Sequence, residues 1–306
     1  MTIKHMVLSG GGPTGLITYG AIKRLHEEGM WCLNKLESIY MSSIGSFIGF
    51  VIALGYDWNT VDEYLIGRPW NKTFSHLGDD LLEVMRNKGL DGLEMASICT
   101  EPLLLGKDLP KNVTLQELYE YTNVELCFIA TDLNTSRSLH TEIITHKTYP
   151  NMSLNIAIAA SSAFPLVFKP IFYNNKCFVD GGLLNNFPLN ICLNNTKCKE
   201  DEMLAFCNYT YDTPNTNLTD ESSYLDYARV LMRKCYLELE TTTKQKQIKN
   251  IVYYDTRDVI DYTKWIHTLE DGDMRKTLIE RGLQAAVTFM DLIQNQEIVE
   301  ECPAVV

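Results

Sequence analysis

The chain has 306 residues, 45% of them hydrophobic, enough to bury one large core or two smaller ones. Its formal net charge of −12 and pI near 5.0 exclude a general nucleic-acid binder, which needs a basic face, and give no broad attraction to anionic membranes. Nine scattered cysteines with no C-x-x-C pair fit neither a zinc site nor a disulfide-stapled secreted fold.

Strand and helix signals alternate through the first third. Ile3–Leu8 is predicted as a strand; Lys4 and His5 interrupt it, so it does not read as the apolar core of a signal peptide. Gly15–Gly29 follows as a helix, with Leu16, Ala21, Ile22 and Leu25 on one side. Ser38–Met41 reads as a second strand and Ile44–Leu54 as an apolar helix, too short to span a bilayer. This β-α-β-α order predicts an α/β fold with a mainly parallel sheet. Further helices are predicted over Leu81–Asn87, over Leu115–Tyr121 behind an N-cap at Thr114, and over Leu154–Ala163 behind Ser153. Leu126–Ala130 reads as a buried strand, and Ile171–Tyr173 with Cys177–Val179 as a hairpin. After Glu200 come a polar stretch, a helix over Tyr224–Leu239, a strand over Ile251–Tyr254 and a last helix over Met274–Gln294. With no repeat and no low-complexity linker, the expectation is one domain, soluble and cytoplasmic, with a motif-bearing core over about residues 3–195 and a mainly helical remainder.

Gly10-Gly11-Gly12 lies between the first strand and the first helix, so it aims backbone N–H groups at a helix N-terminus, where an anion can sit. Two anions are open: a bound phosphate, or the oxyanion of an ester under attack. Gly10, Gly12 and Gly15 match the dinucleotide spacing, yet the second strand ends in Tyr40-Met41-Ser42-Ser43 without the acidic residue that would bind a ribose. That fingerprint is incomplete. Ser43-Ile44-Gly45 sits where the second strand turns into a helix, either as a helix cap or as an exposed nucleophile with its neighbour's N–H at hand. Parallel neighbouring strands would bring this serine and the glycine loop to one sheet edge.

A nucleophilic serine needs a base. Asp180-Gly181-Gly182 ends the hairpin strand, either as a structural turn or as that base. His5, His26, His76, His140, His146 and His267 read as surface or packing residues, so a Ser–Asp dyad is better supported than a Ser–His–Asp triad. Trp58, Leu65, Trp70, Phe74 and Leu103–Leu105 read as core packing, with a lid as the other reading.

Together these residues resemble the patatin-like phospholipase family, whose pattern is G-G-G-x-[RK]-G, then G-x-S-x-G, then D-G-[GA]. Here stand Gly10-Gly11-Gly12-Pro13-Thr14-Gly15, Met41-Ser42-Ser43-Ile44-Gly45 and Asp180-Gly181-Gly182, and the segments Asn87–Leu90, Ala130–Thr135 and Ala159–Pro165 also look like the family. The resemblance covers about residues 3–195. It implies a three-layer α/β/α fold with a central, mainly parallel sheet. It also implies a serine lipid acyl hydrolase with Ser43 as nucleophile, Asp180 as base, and an oxyanion hole from Gly10, Gly11, Gly12 and Ile44. No cofactor or metal is expected. The expected partner is a phospholipid or other acyl lipid met in transient contact with a membrane surface, with no nucleic acid involved and the oligomeric state open. Two departures stand out: Thr14 replaces the usual cation, and Met41 replaces the first elbow glycine. Pro13 has no N–H, so the donors fall to Gly11 and Gly12, joined by Ile44. The competing readings are a non-catalytic lipid-binding or regulatory protein and a nucleotide-binding enzyme.

Overall fold

Met6, Leu8, Ile39 and Met41 belong to one buried cluster, whereas Val7 and Tyr40 belong to another. That alternation is the two-residue period of strands covered on both faces. The computed structural model describes residues 2–74, 86–209, 218–242, 246, 248–256 and 262–301. In it these residues form β1 (His5–Leu8) and β2 (Ser38–Ser42). They are joined by β3 (Glu125–Asp132), β4 (His140–Ile144), β5 (Ile171–Tyr173), β6 (Lys176–Asp180), β7 (Met203–Tyr209) and β8 (Ile251–Asp255). The eight-stranded sheet runs β5-β6-β3-β2-β1-β7-β8, with β4 also paired to β3. Pairings among β3, β2, β1, β7 and β8 are parallel, and those made by β4, β5 and β6 are antiparallel.

The helices are α1 (Gly15–Glu27), α2 (Ile44–Ala53), α3 (Trp58–Asp62), α4 (Trp70–Thr73), α5 (Gly92–Leu105) and α6 (Leu115–Thr122). After β4 come α7 (Leu154–Ser162), α8 (Gly182–Asn185), α9 (Leu189–Thr196), α10 (Tyr224–Thr242), α11 (Tyr262–Glu270) and α12 (Gly272–Glu301). Ile17 and Ile22 of α1, Ile48 and Val51 of α2 and Leu278 of α12 pack on one sheet face, and Leu189 and Cys192 of α9 on the other. This is the expected α/β architecture of a mostly parallel sheet flanked by helices.

The local signals explain most of the elements. Thr114 caps α6 reciprocally: its Oγ accepts from Glu117 N–H at 3.2 Å, and the Glu117 carboxylate accepts from Thr114 N–H at 2.8 Å. The predicted helix at Leu81–Asn87 lies largely outside the described residues. In the C-terminal third β8 coincides with the predicted strand, whereas β7 was not anticipated, and both extend the parallel sheet. The last helix also reaches the core, crossing α1 so closely that a Cβ on Gly282 would stand 2.8 Å from the Ala21 nitrogen.

The aromatic residues after α2 pack inward. Trp58 contacts Tyr19, His26 and Trp31, while Trp70 stacks on Phe74, and Leu65, Leu103 and Leu104 are buried. Leu105 alone of that group is well exposed, at 59%. Among the described residues no helix is long and apolar enough to cross a membrane.

Candidate active site

β2 ends at Ser42 and α2 begins at Ile44, so Ser43 makes the whole turn. Its φ of 51° and ψ of −127° lie where residues with a Cβ are uncommon. Such a conformation persists only when its surroundings impose it. Ser161, fully buried at the end of α7, supplies that constraint. Ser43 N–H donates to the Ser161 carbonyl at 3.2 Å and to its Oγ at 3.1 Å. Ser46 Oγ donates to the same Oγ at 2.9 Å, and Ser161 passes its own proton to the Ile129 carbonyl at 2.6 Å. Gly181 N–H also donates to the Ser161 carbonyl at 3.3 Å, and Asp180 N–H donates to the Ala163 carbonyl at 3.0 Å. One helix end thus holds both the serine and the aspartate.

Ser161→Ala leaves the Ser46 hydroxyl and the Ile129 carbonyl without partners. It should cost about 1–3 kcal/mol of stability. For the ester hydrolysis that the sequence resemblance implies, loosening the elbow should lower kcat by about tenfold or more with KM little changed. Thermal denaturation and steady-state kinetics on the folded variant check both numbers.

Asp180 arrives at the same level of the sheet through β3. Ile129 pairs with Ser42 and the next residue, Ala130, pairs with Asp180. The Asp180 side chain is 3% exposed and accepts from Gly182 N–H at 2.7 Å, with the Ser43 hydroxyl near enough to favour its charged form. Burial disfavours that charge more strongly than these two groups favour it, and the carboxyl is pushed up from 3.8 to about 6. It therefore titrates near neutrality, as a useful general base must. Among the described residues no histidine bonds to either group. His5 bonds to Ser38, His26 accepts from Trp58, and His146 stacks on Tyr119. Nor does any group of His, Cys, Asp or Glu there gather as a metal site.

The glycine loop follows β1, whose Leu8 pairs with Met41 of β2. Gly10 N–H donates to the Asn186 carbonyl at 3.2 Å, and Asn208 Nδ2 donates to the Gly10 carbonyl at 2.5 Å. A Cβ on Gly10 would stand 2.8 Å from Ser43 Cβ and 2.6 Å from Asn186 Oδ1. Gly10 therefore contributes close approach to the serine; contrary to the expectation, its N–H is already spent. Gly11 and Gly12 have φ of 147° and 58°, which only glycine adopts freely. Among the described residues the N–H groups of Gly11, Gly12 and Ile44 meet no acceptor. Pro13 lies in the short turn Gly12–Thr14 that precedes α1, where a missing N–H costs nothing.

A family model for patatin-like phospholipase matches residues 6–193, more than half of the chain. The chain belongs to that family. Among curated proteins, the probable lipid hydrolase 463L of invertebrate iridescent virus 6 is 29% identical over 66% of this chain and 69% of its own length. Lysophospholipase NTE1 of Candida albicans is 24% identical over 60% of this chain, but only 12% of its own length is matched. The crystal structure of VipD from Legionella pneumophila superposes with a TM-score of 0.53 at 16% identity, covering 94% of this chain and 67% of that one. That last likeness concerns the fold alone.

Both departures from the patatin-like pattern have a physical place. Met41 is fully buried, and its thioether lies against Gly49 of α2, where a Cβ would collide with it. The volume added at the elbow is thus recovered at Gly49, within the first two turns of α2. Thr14 is 1% exposed beneath the loop, so no cation stands there, and its N–H donates to the Gly11 carbonyl at 3.3 Å. Three further residues shape the candidate site without having been singled out in the sequence. Asn186 and Asn208 pin Gly10, and Trp265 of α11 lies on Gly12. Asn186 follows the Asp180 motif closely, but Asn208 and Trp265 come from segments with no recognisable signature.

Proposed function

We propose that this protein is a serine lipid acyl hydrolase working through Ser43 and Asp180. The observation that carries the reading is the strained Ser43, set beside a buried aspartate of raised pKa and unengaged loop N–H groups. The patatin-like family and the name of the iridovirus relative support a lipid hydrolase. The extension of one sheet through β7 and β8 supports reading the chain as a single domain.

In the proposed first step Ser43 Oγ attacks the ester carbonyl carbon while its proton passes to the Asp180 carboxylate. The carbonyl oxygen becomes an oxyanion held by the N–H groups of Gly11, Gly12 and Ile44, each worth about 3 kcal/mol by analogy with other oxyanion donors. Collapse breaks the bond to the alcohol oxygen, which leaves with the proton from Asp180, and an acyl-serine remains. Water then attacks the acyl carbon and gives a proton to Asp180. Ser43 leaves and recovers that proton, and a fatty acid is released. The substrate is an acyl lipid, met at a membrane surface. Leu166, just beyond α7, and Phe172 of β5 are 49% and 67% exposed and would offer apolar contact there.

Mass-spectrometric profiling of mixed phospholipid vesicles tests this. Wild type should release free fatty acids and Ser43→Ala should release none above background. Equal release by both proteins would refute the assignment, and no release by either would favour a lipid-binding role.

A further inference from the structure

We propose that Trp265 is a catalytic residue whose indole Nε1–H donates a hydrogen bond to the acyl oxyanion in the glycine loop. The inference rests on the hydrolase reading and adds a donor to it. Trp265 lies on α11, which packs against the Gly12–Thr14 turn. A Cβ on Gly12 would stand 2.6 Å from Trp265 Cε2 and 3.0 Å from its Nε1, so the indole rests directly on the loop backbone.

Its Nε1 is buried and, among the described residues, has no acceptor. The chain has four tryptophans, and the other three are satisfied. Trp31 donates to the Ile22 carbonyl at 3.0 Å, Trp70 to the Leu65 carbonyl at 3.0 Å, and Trp58 to His26 Nδ1 at 3.2 Å. An indole N–H can only donate, and a buried tryptophan ordinarily finds a partner. A buried donor without one calls for a specific cause, a catalytic role among them.

The neighbourhood supplies that cause. Gly11 and Gly12 present two more unengaged N–H groups, and Asn208, a polar side chain beside the loop, spends its Nδ2 donor on the Gly10 carbonyl. Three donors without acceptors therefore meet at one loop. In the proposed arrangement an incoming oxygen that gains negative charge accepts from all three, most strongly when the charge is fullest. The cation that the family pattern would put at position 14 is absent, so the field at this loop comes from neutral N–H dipoles. A tryptophan from the C-terminal segment then supplies part of what the missing side chain does not.

Trp265→Phe tests the proposal because it keeps a ring on Gly12 and removes only the donor. The expected result is a kcat about 100- to 1,000-fold below wild type, with KM little changed. The loss should be equal for a phospholipid and for a small ester without a headgroup, such as p-nitrophenyl butyrate. The variant should melt no lower than wild type, since a buried unpaired group is gone. In wild type, phosphonylation of Ser43 by a fluorophosphonate should move one of the four indole N–H proton resonances downfield, a readout that needs no variant. Unchanged kcat in a labelled, folded Trp265→Phe protein overturns the role of Trp265 and leaves the hydrolase reading intact. A defect confined to the phospholipid overturns it also, because the indole then contacts the headgroup phosphate. Failure of wild type to label or turn over removes the hydrolase reading and this inference with it.

Discussion

Asp180→Asn is expected to lower ester hydrolysis by about 10³-fold or more and, above pH 7, to raise the melting temperature. The amide fills the same space but accepts no proton from Ser43. The stability gain follows from the raised pKa. The folded carboxyl titrates near 6, against 3.8 when unfolded, so between those values the folded state binds the extra proton. Stability therefore falls as pH rises through that window, and above it the ionised group costs about 3 kcal/mol. Asparagine, neutral throughout, escapes the cost, so the gain should vanish below about pH 4. Melting curves from pH 4 to 8 read this directly, and a variant no more stable at pH 8 would contradict the buried, raised carboxyl. In wild type, the acylation rate should rise with pH to half its plateau near 6. On the hydrolase reading, the site gives up stability to keep a charge, an ordinary trade of function against stability.

Met41→Gly, which restores the residue the family pattern expects, should damage the protein rather than improve it. Met41 is fully buried between β1 and α2, with its side chain filling the space above Gly49. Removing that side chain leaves a cavity and frees a strand backbone. The expected cost is about 3–5 kcal/mol, seen as a lower midpoint in urea unfolding. The turnover of the remaining folded protein should stay within a few-fold of wild type, because Ser43 already holds its strained conformation with methionine in place. A many-fold rise in kcat would mean that Met41 restrains the elbow.

Much of the fold was legible because its elements are locally determined. β1 and β2 are short apolar runs bounded by turn signals, Thr114 and Ser153 announce their helices, and Asn174-Asn175 sit in the hairpin with positive φ. Two strands escaped for opposite reasons. Met203–Cys207 is continuously apolar, as a parallel strand buried on both faces must be, and gives no period to read. His140–Ile144 mixes polar and apolar residues and gains its identity only by pairing with β3.

The same division runs through the site. Ser43, Asp180 and the glycines sit on strand ends and tight turns, where sequence dictates backbone shape. Asn208 and Trp265 reach the loop from about 200 and 250 residues away, and their own neighbours in the sequence carry no trace of it. Ser161 lay within a segment that looked like the family, yet its role appears only once α7 meets the elbow. The loop also shows what sequence cannot apportion: three adjacent glycines look alike, but one has its N–H taken by Asn186.

On the hydrolase reading, Ser43 is a nucleophile activated by Asp180. Treating folded protein with a fluorophosphonate and sequencing its peptides by mass spectrometry tests it most directly. A single adduct on Ser43, slowed at least 100-fold in Asp180→Asn, is the expected result. An adduct on Ser9, Ser42 or Ser46 instead, or none on folded wild type, would contradict it.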